Sequence, residues 1–348
     1  MPELWYAIVA FLLTAYTVMD GYDLGAGALA PWVARTDAER RQVLAAIGPY
    51  WDGNEVWLLA AGGALFVGFP RVLSGGISGF YFAIFLVLWC LIIRGISIEF
   101  RSHVPNPLWR GAWDFFFVVA SVLLPVFFGA ALGNLLRGVP LTPEGWFELP
   151  LFTNFTAADP VGILDWYTIV TGVFALVALL AHGSVFLAWK TSGEVGLRSR
   201  AAGRRLFPLV AVLWAGITLA TASVNPDFFK AVETRPLAWL LALAALAGLI
   251  STFSALRKGR DLAAFLGSCA FLGGLSLATA VCAYPVLLRA RAGPALSMTV
   301  ANSAGDPEGL KTASTWFAIG FPLVIAYFTI LFRLHRGKAA CAADGEGY

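Results

Sequence analysis

Apolar residues fall in blocks of about 20 along this chain, each closed by a short polar or charged segment, and that is the length one helix needs to cross a bilayer. The blocks predict nine membrane-spanning helices, at about 4–33, 50–70, 76–98, 113–135, 163–188, 206–224, 236–255, 262–288 and 313–333. The fold class read from this pattern is an all-α polytopic membrane protein. Two stretches break the pattern from within. Thr17 to Gly27 places Asp20 and Asp23 inside the first block, and Trp51 to Trp57 places Asp52 and Glu55 at the head of the second. An acid at the centre of a spanning helix costs about 2.5–3.5 kcal/mol on insertion scales. Four of them in adjacent helices should therefore face protein or water, and they read as the lining of a proton route.

Asp20 lies about 12 residues before the Pro31-Trp32 interface, roughly 18 Å at the helical rise, which is near mid-membrane. Asp20 and Asp23 are three apart and share a helix face, as do Asp52 and Glu55. Gly25 and Gly27 remove side-chain bulk just below the first pair, so a neighbouring helix or water can approach. Asp52 and Glu55 occupy the first turns of their helix, where the dipole also favours acids without any further role. Asp52 stands out because it would sit just inside the face where protons enter, with Asp20 deeper on the preceding antiparallel helix. Carboxylates that share a dry site shift one another's affinity for protons, which is the property a relay needs.

Composition agrees with this reading: 59% of residues are hydrophobic, 13% are charged and the mean hydropathy is +0.76, far from the balance of a soluble domain. Most of the 24 Lys and Arg residues fall in alternate loops. These are Arg35, Arg40 and Arg41; Arg94, Arg101 and Arg110; Lys190 to Arg205; Arg257, Lys258 and Arg260; and Arg333, Arg336 and Lys338. Cytoplasmic loops retain positive charge, so the N-terminus is expected outside and the C-terminus in the cytoplasm. The formal charge of +3 then reflects topology, and no nucleic-acid partner is read from it. Met1-Pro2-Glu3 lacks the basic start of a cleavable signal.

Several other features read as structural. The acidic and basic run of the first loop is expected to be a short solvated turn. Arg94 reads as a snorkelling or locally paired residue and Asp114 as a helix-start dipole or cap residue. Trp146, Phe147, Trp166 and Tyr167 read as an interfacial aromatic belt. The cysteines have no metal-ligand spacing, and the last dozen residues are expected to be disordered.

Of three histidines, only His182 falls within a span, and no methionine pairs with it. A b-type haem takes two axial side chains from facing helices, so the chain cannot hold several haems. No P-loop or dinucleotide fingerprint is present. If the assembly does redox work, another subunit carries the metal.

The sequence resembles subunit II of cytochrome bd-type quinol oxidases. The resemblance rests on Asp20-Gly21-Tyr22-Asp23-Leu24-Gly25, Trp51-Asp52-Gly53-Asn54-Glu55-Val56-Trp57 and Ala61 to Phe66. It extends through Ser78 to Tyr81, Gly133-Asn134-Leu135, His182-Gly183-Ser184, Lys190 to Glu194 and Ala295 to Ala304. It implies two four-helix bundles plus one peripheral helix, divided as 1–140 (first bundle), 141–162 (outer loop), 163–290 (second bundle), 291–312 (outer loop), 313–336 (ninth helix) and 337–348 (cytoplasmic tail). It implies a terminal oxidase of the bacterial inner membrane that oxidises quinol and reduces dioxygen to water. Two b-type haems and one d-type haem would lie on the partner, subunit I, and subunit II would be haem-free. Asp20 and Asp52 would match the acids of a cytoplasmic proton pathway, with Trp51 beside it; Asp23 and Glu55 join them through their positions. The family also allows a structural quinone and a small single-helix subunit. Two other readings stand at this point, an ion-coupled transporter and a purely structural membrane subunit. Confinement of the acids to the first two helices speaks against a two-half transporter.

Overall fold

The computed structural model describes residues 1–339, so the expectation of disorder for the residues beyond lies outside the described residues. The chain is helical nearly throughout. α1 (Pro2–Val33), α2 (Asp37–Ile47), α3 (Trp51–Gly68), α4 (Pro70–Gly79), α5 (Tyr81–Phe100) and α6 (Pro107–Arg137) precede the long loop that leads to α7. α7 (Trp166–Lys190), α8 (Gly193–Val224), the short α9 (Lys230–Thr234), α10 (Pro236–Arg257) and α11 (Asp261–Ala283) follow it. A two-stranded antiparallel ribbon of β1 (Val286–Leu288) and β2 (Met298–Thr299), then α12 (Val300–Ser303), lead into α13 (Pro307–Leu334).

Among the described residues, eight helices are long and apolar enough to cross a membrane, and α3 with α4 makes a ninth candidate bent by 119°. The second expected span falls on α3, which is a crossing candidate only together with α4, and the third begins at Tyr81 rather than at residue 76. The chain breaks at Phe69 because Pro70 bars the preceding residue from helical backbone; Phe69 sits at φ −145°, ψ 62°. A second break falls at Phe80, and the Phe147 ring packs on Gly79 just before it, where a Cβ would fall.

Glycines let the long helices touch at their backbones. A Cβ on Gly25 would lie 1.9 Å from the Leu179 carbonyl oxygen, and one on Gly183 2.3 Å from the backbone at Gly25 and Ala26, which makes this pair the α1–α7 crossing. Gly27 meets Ser121 and Phe117 of α6 in the same way, while Gly129 and Gly172 bring α6 against α7. Such contacts replace a hydrophobic driving force that lipid removes. α1 thus packs on α3, α6, α7 and α11, and its segment from Asp20 to Leu29 is buried. α13 lies on the outside: Leu310 is its only buried residue, and it is fastened by Trp57 stacked on Phe328 and Phe11 edge-on to Phe321.

Other expectations are corrected here. The first loop is a capped 11-residue helix whose Val43–Ile47 end is buried. Its charges are committed, with Asp37 and Asp114 converging on Arg101 at 2.7 and 2.6 Å and Arg198 paired with Glu39 at 2.9 Å. Asp114 does not cap α6, because that helix starts at Pro107 with Asn106 as its cap. Phe147 and Tyr167 leave the aromatic belt: both are buried, and the Tyr167 hydroxyl is bonded to Thr221. Trp146 and Trp166 remain exposed. The start of the tail is fastened, since Ala339 N–H donates to the Lys190 carbonyl and Lys338 Nζ to that of Ala188.

Candidate functional site: a buried carboxylate–arginine cluster

The site forms where α1, α3 and α5 meet. α1 delivers Asp20 and Asp23 from one face; both are buried, Asp20 completely. α3 begins after Tyr50 and runs antiparallel to α1, so Asn54 and Glu55 come level with them. α5 contributes Arg94, also completely buried. Its Nη2 approaches Asp20 Oδ1 at 2.7 Å and donates to Glu55 Oε1 at 2.6 Å, so one nitrogen bridges two carboxylates. Asn54 Nδ2 stands 2.7 Å from both Asp23 Oδ2 and the Tyr22 hydroxyl, and 3.2 Å from the Met19 carbonyl. A chain of polar contacts therefore runs Glu55, Arg94, Asp20 on one side and Asn54, Asp23, Tyr22 on the other.

Three carboxylates face one guanidinium here, and several polar atoms have no hydrogen-bond partner among the described residues. They include both oxygens of Asp20, Asp23 Oδ1, Asn54 Oδ1, the Tyr16 hydroxyl, and Nε and Nη1 of Arg94. The Asp20–Arg94 contact is thus ionic, without an aligned N–H. Buried polar atoms are nearly always bonded, so the concentration of free ones here makes this cluster the candidate site.

The expected residues divide into two groups. Asp20, Asp23 and Glu55 are brought together. Asp52 is not: it is exposed on the outer face of α3, while the Glu55 side chain is 25% exposed and Trp51 is half-buried with its ring against Gly95 of α5. Asp52 and Asp20 consequently do not share a dry site within this chain. Asp52 lies in the first turn of α3, on a face that the described residues leave uncovered.

Sequence reasoning missed Arg94, counted there among loop charges. It also missed Asn54, Tyr22 and Tyr16, which carry no charge to draw notice. The available signal for Arg94 was its place six residues inside the end of a long apolar helix, a rare position for a cation without an acid opposite it. His182 is also completely buried, with Nε2 2.9 Å from the Val18 carbonyl and Nδ1 2.7 Å from the Ser268 hydroxyl. A carbonyl can only accept, so Nε2 carries the proton and both ring nitrogens are engaged within the chain. No group of three or more His, Cys, Asp or Glu able to hold a metal is found among the described residues.

A polytopic membrane protein with a charged cluster walled in by three helices and opening on one helix face is the class this structure defines. A profile described as cytochrome bd terminal oxidase subunit II matches residues 1–335. "Cytochrome bd-I ubiquinol oxidase subunit 2" of Escherichia coli (strain K12) is 31% identical over 352 residues, covering 93% of this chain and 91% of the relative. "Cytochrome bd ubiquinol oxidase subunit 2" of Bacillus subtilis (strain 168) is 29% identical over 331 residues, covering 93% of each. Among solved structures, bd oxidase from Geobacillus thermodenitrificans superposes with a TM-score of 0.74 at 18% identity, over 96% of this chain and 98% of that one, a likeness of fold. The chain belongs to the cytochrome bd terminal oxidase subunit II family.

Proposed function

We propose that this chain is the haem-free subunit of a quinol-oxidising, dioxygen-reducing complex, and that it carries protons from the cytoplasm toward the oxygen-reducing haem of subunit I. One observation carries the reading: polar groups form a gradient of burial, from exposed Asp52 through quarter-exposed Glu55 to Arg94 and Asp20, which have no exposure. Protons would enter at Asp52 and pass to the cluster by way of Glu55. The free hydrogen-bonding capacity of Asp20, Asp23 and Tyr16 is what a transferred proton or its carrier would use. Trp51, wedged between α3 and α5, positions the start of that path.

The exposed α3 face with Asp52 is the surface we assign to subunit I, whose b-type and d-type haems would supply the redox chemistry. The engagement of both His182 nitrogens supports a haem-free chain. Orientation with the N-terminus outside, in the bacterial inner membrane, follows from the loop charges. Quinol is the substrate of the assembled complex; a structural quinone and a small single-helix subunit belong to the same proposal as family traits.

The test is Asp52→Asn and, separately, Glu55→Gln in the assembled complex, reading oxygen turnover and proton uptake at constant haem content. Slower proton uptake with unaltered haem spectra is expected. Unchanged turnover and uptake in both variants would favour a purely structural role for these acids.

A further inference from the structure

The arginines of the cytoplasmic face are not equivalent. Arg40, Arg101, Arg110, Arg198 and Arg200 are each held by a carboxylate, the last by Asp261 at 2.6 Å. Across α8 the pattern reverses. Arg204, Arg205, Arg257, Lys258 and Arg260 are exposed, and no carboxylate lies within ion-pair distance of them among the described residues. Arg204 folds over the end of α10, donating from Nε and Nη2 to the Leu256 carbonyl at 3.3 and 3.0 Å, and so gathers the α8 and α10 cations at one corner.

The depth of that corner is set by helix length. Arg205 lies 19 residues from Val224, the outer end of α8, or about 28 Å, which is one hydrocarbon thickness. Arg257 lies 21 residues from Pro236, the outer end of α10, and reaches the same level. On the membrane side, the α8 stripe in line with Arg205 is apolar and open, with Leu209 44%, Val212 68% and Leu219 73% exposed. On the cytoplasmic side, a half-open cavity of about 280 Å³ is lined by Leu197, Arg200, Ala201, Arg204 and Arg205. A single α8 face thus presents an apolar track, uncompensated cations at the hydrocarbon boundary, and a groove above them.

We infer that the inner corner of α8 and α10 is a binding site for an anionic phospholipid, with acyl chains along Leu209 and Val212, phosphate among Arg204, Arg205 and Arg257, and headgroup in the groove at Leu197 and Ala201. Retained positive charge alone does not produce this arrangement, because the neighbouring arginines on the same side are neutralised within the chain. Basic pockets between spanning helices at this level fit anionic headgroups.

The experiment uses the complex purified with its native lipid and measures co-purified phospholipid by native mass spectrometry. The Arg204→Gln, Arg205→Gln and Arg257→Gln variants are compared singly and together. Each cation near a membrane surface is worth about 1 kcal/mol, so retention of phosphatidylglycerol relative to phosphatidylethanolamine should fall roughly fivefold per substitution. Delipidated wild type should recover thermal stability with phosphatidylglycerol vesicles and not with phosphatidylcholine vesicles or inorganic phosphate. An Arg110→Gln control removes a paired cation and should leave the lipid ratio unchanged. Equal loss of both lipids, recovery by phosphate alone, or an unchanged ratio in the triple variant would overturn the inference. The readout is lipid retention, so its failure is distinct from any failure of the proton-path reading.

Discussion

Arg94 is the residue whose removal the structure predicts most sharply. Among the described residues it is the cation that pairs with Asp20 and Glu55, and it has no exposure. Replacing it with methionine keeps the long stem and removes the charge. Breaking a buried pair by deleting one partner costs about 3–5 kcal/mol, because the remaining charge is left uncompensated. The Glu55 side chain, 25% exposed, can be partly solvated; that of Asp20, at 0%, cannot, so most of the penalty falls on Asp20. Arg94→Met should therefore lower the folded-state ratio by two to more than three orders of magnitude. Adding Asp20→Asn should recover most of the loss, since it removes the stranded charge. Glu55→Gln alone should cost about 1 kcal/mol or less, because Arg94 keeps Asp20 and the carboxylate lost was partly in water. Unfolding of the purified complex in mixed micelles, followed by helical circular dichroism, gives all four values. An Arg94→Met variant within about 1 kcal/mol of wild type, or no recovery in the double variant, would refute a cluster held by opposite charge.

Other outcomes follow from separate parts of the molecule. Gly25→Ala puts a methyl 1.9 Å from the Leu179 carbonyl oxygen and should force α1 from α7, cutting assembled yield, whereas Gly111→Ala, with nothing within 4 Å, should not; membrane-fraction yields compare them. His182→Phe should destabilise by about 1–3 kcal/mol through loss of its bonds to Val18 and Ser268, while the haem content of the complex, read from its optical spectrum, stays constant. The Glu39 carboxyl is pulled down to about 2 by its hydrogen bond from Arg198 and by the Arg35 backbone N–H. Its folded value lies below the ordinary 4.5, so the stability it contributes is full above that pH and is lost as pH falls toward 2. Glu39→Gln should flatten the acid limb of the stability–pH curve over that window and leave the neutral plateau lower but level.

What the sequence discloses, and what it hides, follows from the range of the interactions involved. Spans are legible because one helix meets the bilayer by itself: block length and polarity suffice, and α7 and α10 begin and end within about three residues of the predicted blocks, while α6 starts six residues early. The break at Phe69, with its 119° bend between α3 and α4, was available locally in Pro70, whereas the packing of Phe147 on Gly79, from a loop more than sixty residues on, was not. The acids of α1 were equally legible, since a carboxylate in an apolar run is anomalous wherever it points. Their partner was not, because pairing Arg94 with Asp20 requires knowing that α5 packs near α1 and that its Arg94 face turns inward, and neither is a property of residues 81–100 taken alone. Asp52 shows the converse limit. Its spacing from Glu55 correctly placed both in the opening turns of one helix, but spacing cannot say which way that face looks. In this chain Asp52 looks outward while Glu55, three residues on, accepts from Arg94, so a shared spacing did not give the two acids one environment. Under our proposal the Asp52 side of the path is completed by subunit I, and a site shared in that way would leave only its buried end legible in this sequence.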